Sequence, residues 1–168
     1  LVGNATITTD ILSVNGGSDA VLGNNTVDYS LCIALTGNYT INSSVATGGS
    51  NFQTFNDAVS ALACGIVGPV VFNVVSASGP YNEQVSIPEV SGVSSVNTVT
   101  FNGNGNTLTF NATVVGAPHT FALAGADNIK VNNLIIEGTG PTYALVCHLW
   151  NDADNNTFTN CTFNAPAN

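Results

Sequence analysis

Two eleven-residue segments superimpose at a shift of 27 positions. Ala126-Asp127-Asn128-Ile129-Lys130-Val131-Asn132-Asn133-Leu134-Ile135-Ile136 falls on Ala153-Asp154-Asn155-Asn156-Thr157-Phe158-Thr159-Asn160-Cys161-Thr162-Phe163. The Ala-Asp-Asn opening and a later asparagine coincide, and Val131, Leu134 and Ile136 meet Phe158, Cys161 and Phe163. A period in the twenties with matched apolar positions is the pattern of a solenoid, because one coil can bury its inner face only against the next. Asparagines at bends hydrogen-bond along such a stack. Asn133 and Asn160 are therefore read as turn-ladder residues rather than ligands.

The rest of the chain is punctuated to suit stacked coils. Short strands are expected at 84–87, 98–102, 107–110, 120–124, 129–136, 144–150 and 157–163, separated by Asn, Gly, Asp and Pro at spacings too irregular for a sandwich meander. Before them, Val70-Val71-Phe72-Asn73-Val74-Val75 reads as a strand buried on both faces. One helix is expected ahead of that strand. Ser50 and Gln53 form a capping-box pattern, Phe52, Phe55, Val59 and Leu62 fall at helical spacing, and Gly65 stands where a helix ends. Residues 1–36 alternate in short stretches, Ala5-Thr6-Ile7-Thr8 and Ile11-Leu12-Ser13-Val14 among them, and read as an N-terminal strand or linker segment. Residues 37–168 then carry the cap and first coils.

Composition excludes several partners. Charged residues make up only 7% of the chain, and Asn, Ser, Thr and Gly fill its polar half, which leaves little material for long helices. Lys130 is the only Lys or Arg, and the net charge is −9. No basic patch exists to displace counterions from a phosphate backbone, so neither nucleic acid nor an anionic membrane is an expected partner. No apolar run approaches the ~18 residues of a membrane span. The chain begins at Leu1 without a charged-then-apolar leader, and it reads as processed or excised. An acidic, lysine-poor composition suits an extracellular or cell-surface location. The four cysteines, Cys32, Cys64, Cys147 and Cys161, lack zinc-site spacing, so disulfide use stays open, with simple interior packing as the alternative for Cys147 and Cys161.

Between Leu35 and Ile87 the sequence resembles a known family. Thr36-Gly37-Asn38-Tyr39-Thr40-Ile41, then 51–62 (Asn-Phe-Gln-Thr-Phe-Asn-Asp-Ala-Val-Ser-Ala-Leu), Cys64-Gly65-Ile66, 68–74 (Gly-Pro-Val-Val-Phe-Asn-Val) and Tyr81-Asn82-Glu83-Gln84-Val85 are similar to the opening of large secreted β-helix proteins of Bacteroidota. Those proteins resemble pectate-lyase-like right-handed parallel β-helices and are commonly exported by the type IX route. The resemblance implies an all-β fold, a right-handed parallel β-helix with an N-terminal capping α-helix and a preceding β-strand segment. It further implies that the helix from about Asn51 to Ala63 plugs the first coil, with Cys32 and Cys64 flanking it as a disulfide across the cap. The family's later coils and C-terminal sorting module are lacking. The chain stops just after a strand, so it reads either as a fragment or as a subunit whose last coil something else covers.

Chemistry is sparse. A uronate lyase needs a cation and a strong base, but there is no arginine, and Lys130 lies where strand alternation points it to solvent. A glycosidase needs two carboxylates roughly 5 to 10 Å apart. Asp127 and Asp154, stacked in successive coils about 5 Å apart, satisfy the spacing, yet both stand in Asp-Asn turns where aspartate serves its own backbone. Asp127, Asp152 and Asp154 are also the places for a metal, with Ca²⁺ as the possible ion. His148 and Trp150 alternate onto one strand face, where the pair could hold a sugar ring or pack against the wall. Thr98-Val99-Thr100 and Thr107-Leu108-Thr109 could form threonine ladders suited to ice. The reading that follows is an extracellular structural or adhesive surface module, more in keeping with a non-catalytic role than with an enzyme. Its partners would be other copies of itself in a filament, neighbouring surface proteins or glycans. The alternative is a polysaccharide-active or carbohydrate-binding β-helix fragment.

Overall fold

A computed structural model describes residues 5–10 and 26–166. The chain divides into a small unit, Gly3–Ile33, and a large one that takes in Ala34–Asn168. In the small unit, β1 (Ala5–Asp10) pairs antiparallel with β2 (Thr26–Leu31), Ala5 opposite Leu31 and Asp10 opposite Thr26. The strand expected at residues 11–14 lies outside the described residues.

The large unit is a parallel β-solenoid. Its first coil holds β3 (Leu35–Ile41), β4 (Asn51–Phe52) and the helix α1 (Phe55–Ala61), which runs into a 3-10 turn at Leu62–Cys64. The second holds β5 (Ile66–Val74), β6 (Tyr81–Asn82) and β7 (Val85–Pro88), and the third β8 (Val99–Asn102), β9 (Thr107–Phe110) and β10 (His119–Ala124). The fourth holds β11 (Ile129–Asn132), β12 (Ile135–Gly138) and β13 (Leu145–Trp150), and the last β14 (Thr157–Thr159) and β15 (Thr162–Asn164). Stacking like strands gives three sheets, in the orders β14-β11-β8-β5-β3-β4, β15-β12-β9-β6 and β13-β10-β7. Every strand-to-strand pairing between successive coils is parallel.

The 27-residue repeat is realised in the register. Val131 pairs with Phe158 and Ile136 with Phe163. Earlier coils are spaced differently: Val70, Val99 and Ile129 stack at intervals of 29 and 30, and Val85 meets Phe121 across 36 residues because the connection before β10 is longer.

The core is a set of columns running down the stack. Phe72 lies over Phe101 with ring centroids 4.9 Å apart, and Phe55 of α1 lies 6.2 Å from Phe101, all three rings fully buried. Tyr81, Leu108 and Ile136 form the corresponding buried column of the second sheet, and Val85 and Phe121 that of the third. Removing this much aromatic and aliphatic surface from water is the main stabilising term for such a fold. Outside, polar side chains stack as well. Asn102 donates to Asn73 at 2.9 Å and Asn132 donates to Asn102 at 3.0 Å, an amide ladder across three coils.

Four expectations need correction. The helix starts later than the Ser50 capping pattern indicates: Asn51–Phe52 is a strand beside β3, and the N-cap is Thr54, whose hydroxyl accepts from the Asp57 amide at 3.0 Å. A second cap comes from far along the chain, since the two carboxylate oxygens of Glu83 accept from the amides of Phe55 and Asn56 at 3.1 and 2.9 Å. β5 is buried on one face only, with Val67 70% exposed, because the solenoid has an inside and an outside. The strands expected at 129–136 and 157–163 are each two strands, broken at Asn133 (φ 50°) and Asn160 (φ 53°). Asparagine tolerates that left-handed backbone better than other non-glycine residues, so one residue suffices to turn the corner. These two therefore make the bends, while the stacked amides belong to Asn73, Asn102 and Asn132. Finally, no threonine ladder forms: Thr100 stands between Val71 and Lys130, Thr107 beside Ile135, and Thr109 between Asn82 and Glu137.

The bend between β8 and β9 shows how closely coils approach. Gly103 and Gly105 donate to the carbonyls of Asn132 and Asn133 at 2.7 and 2.8 Å, and a Cβ on Gly103 would stand 2.6 Å from the Asn133 oxygen. No helix among the described residues is long and apolar enough to cross a membrane.

Candidate functional site

The exposed chemistry gathers at one end of the solenoid, on β13 of the fourth coil and β14 and β15 of the last. Strands β13, β14 and β15 each stand at one end of their sheet, paired on one side only among the described residues. Side chains that continue buried columns are open here. Leu149, which stacks on buried Leu123, is 47% exposed, and Phe163, which stacks on buried Ile136, is 46% exposed. Leu145 is exposed too. The three edges carry no Asp, Glu, Lys, Arg or Pro within the strands, the residues that usually protect a strand edge from further pairing.

His148 and Trp150 come together on the outer face of β13. Their rings stack at 5.9 Å with an interplanar angle of 12°, and Trp150 is 53% exposed. Behind them His119 is buried, its ring 6.2 Å from that of His148, and its Nδ1 has no hydrogen-bond partner. Burial, aided by the charge of His148, holds His119 below the usual histidine pKa. His119 was not singled out from sequence, because a histidine at a strand start shows nothing of what will cover it.

The carboxylates behave as bend residues. An oxygen of Asp127 accepts from the Asp154 amide at 2.6 Å, and Asn128 donates back to the Asp154 carbonyl at 3.1 Å. Asn156 completes the clasp, accepting from the Ile129 amide and donating to the Ala126 carbonyl, both at 2.8 Å. Asn128 and Asn155, beside the two aspartates, have the same left-handed backbone. Asp152, exposed and also left-handed, stands in the preceding turn. Asp127 and Asp154 are thus brought together by coil stacking. No group of three or more His, Cys, Asp or Glu among the described residues could hold a metal ion. Lys130 is exposed on the outer face of β11.

Cys32 and Cys64 are disulfide-bonded, whereas Cys147 and Cys161 are free thiols in the last coils. Burial, with the neighbouring Cys161, pushes the Cys147 thiol up to about 11. A further concavity, an open groove of about 590 Å³, runs along the corner between successive coils, lined by Pro80, Asn104, Asn106, Thr107, Thr109 and Glu137 among others. Its position was not legible in the sequence, since it depends on how the 76–80 and 104–107 bends stack.

Fold and register define the chain as a parallel β-solenoid. Neither protein-family models, nor curated protein sequences, nor solved structures yield a match to it.

Proposed function

We propose that the chain is an extracellular structural or adhesive surface module that assembles with copies of itself, the last coil of one subunit taking up β-structure from the next. The observation that carries this reading is the coincidence, at one end of the solenoid, of three strand edges unpaired among the described residues, half-exposed apolar columns and the absence of charged or proline edge protection within the strands. An edge of that kind gains main-chain hydrogen bonds and apolar burial when another strand is added. The likeness of residues 35–87 to secreted β-helix proteins of Bacteroidota supports an extracellular setting and the type IX route, and the disulfide-bonded Cys32 and Cys64 suit an oxidising compartment.

Electron microscopy of the purified chain over a range of concentrations tests the reading. Ordered filaments that lengthen with concentration are expected. Isolated short rods at every concentration would contradict assembly.

A second reading rests on a separate observation. The flat, half-exposed Trp150 stacked on His148 is a platform of the kind that holds a sugar ring, which makes glycan adhesion the alternative use of the same end of the solenoid. Glycan-array binding that is lost in Trp150→Ala while the fold persists would favour it. Among the described residues no set of three His, Cys, Asp or Glu side chains could hold calcium, and repeating the array with and without calcium separates an ion-dependent from an ion-independent platform.

A further inference from the structure

The two free thiols occupy matched inward positions in the last coils. Cys147 stacks on Phe121, and Cys161, just after the Asn160 bend, occupies the position of Leu134, since Ile135 pairs with Thr162. Phe121 and Leu134 are fully buried members of one core cluster, and Cys147 and Cys161 pack against that cluster. β13 and β15 lie in contact, and Cys147 senses Cys161 electrostatically as a neighbour. Cys161 Sγ lies 3.4 Å from the Val131 carbonyl oxygen and 3.5 Å from that of Thr159. Neither thiol is sealed from solvent, because each is only half-buried. Cys32 and Cys64 are already oxidised in the same chain.

We propose that Cys147 and Cys161 are a redox modification site, forming an intramolecular disulfide across the interior of the last coils when a small disulfide such as oxidised glutathione is the oxidant. The Cys161 thiolate attacks one sulfur of the oxidant, breaking its S–S bond and releasing one glutathione thiolate. The Cys147 thiolate then attacks Cys161 Sγ, breaking the mixed disulfide and releasing the second glutathione. The two thiol protons end on the two released glutathiones, and two electrons pass from the cysteine pair to the oxidant. Cys161 is the first nucleophile because burial leaves Cys147 poorly ionised. The product ties β13 to the β14–β15 bend, at one end of the solenoid's sheets. The inference is independent of self-assembly, since a monomer oxidises in the same way.

The test incubates the full chain with oxidised glutathione, blocks remaining thiols with iodoacetamide, and maps the products by mass spectrometry without reduction. A monomer that has lost two hydrogens, takes up no iodoacetamide and yields a Cys147–Cys161 linked peptide is expected. Cys147→Ser should instead stop at a glutathione adduct on Cys161. Persistent alkylation of both thiols, a stable glutathione adduct on the unaltered chain, or a disulfide-linked dimer would each overturn the proposal.

Discussion

Replacing Phe101 by alanine probes the stacked core at its centre. The ring is fully buried, lies 4.9 Å from Phe72 at an interplanar angle of 26°, and is 6.2 Å from Phe55 of the capping helix. One substitution therefore removes contacts to the coil before it and to the cap. Truncating a buried phenylalanine costs about 3–5 kcal/mol, transfer and cavity terms together. The upper half of that range is expected, because Phe72 and Phe55 sit on fixed strand and helix backbones and cannot both collapse into the space. For a domain of this size 1 kcal/mol corresponds to roughly 2–4 °C, so the melting temperature should fall by about 8–20 °C. Urea denaturation should show a lower midpoint at unchanged slope. Val96→Ala is the control: Val96 is 77% exposed, and its loss should stay within about 0.5 kcal/mol. A Phe101→Ala variant less than about 1 kcal/mol below the parent, or no worse than Val96→Ala, would refute the stacked-column reasoning.

Three further outcomes are expected. Asn133→Gly should leave stability within about 0.5 kcal/mol of the parent, whereas Asn133→Val should cost about 1–2 kcal/mol, since φ at this bend is 50° and a β-branched side chain resists it; thermal melts of the two variants decide this. Glu83→Ala should destabilise by about 1–3 kcal/mol by leaving the Phe55 and Asn56 amides without their carboxylate, and hydrogen exchange should show the loss at the start of α1. Stability should also fall on acidification. His119 has a folded-state pKa depressed below 6.5, so the unfolded chain binds the extra proton first. Its contribution is complete above pH 6.5 and is lost as pH falls from there toward the folded-state pKa. His119→Phe should flatten that limb of a denaturation series measured across pH.

What could be read from the sequence follows from which signals are local. The match of Val131, Leu134 and Ile136 to Phe158, Cys161 and Phe163 was visible because the last two coils share one spacing in both sheets. Earlier coils hide the repeat by varying it. The bends at Asn133 and Asn160 were seen as special residues but not as breaks, because a corner made by one left-handed residue leaves the apolar alternation on either side looking continuous. The Ser50–Gln53 capping pattern lies ahead of the real helix start because the N-cap is Thr54, which accepts from the Asp57 amide, and the other cap, Glu83, is 28 residues from Phe55. Lys130 was correctly placed on the outside by alternation alone. The pairing of Asp127 with Asp154 followed from the repeat, but the use of the carboxylate as an acceptor for the next coil's backbone needs the stacked geometry. The buried, unpartnered Nδ1 of His119 and the groove beside Glu137 have no sequence signal, because each is produced by segments that meet only when coils stack.

The central claim, that the end formed by β13, β14 and β15 is an association edge, is tested most directly by hydrogen exchange of backbone amides measured at low and high protein concentration. Amides of β13, β14 and β15 should gain protection as concentration rises, while those of β5 and β8, already paired on both sides, should not change. Protection of the last coil that is independent of concentration would contradict the account.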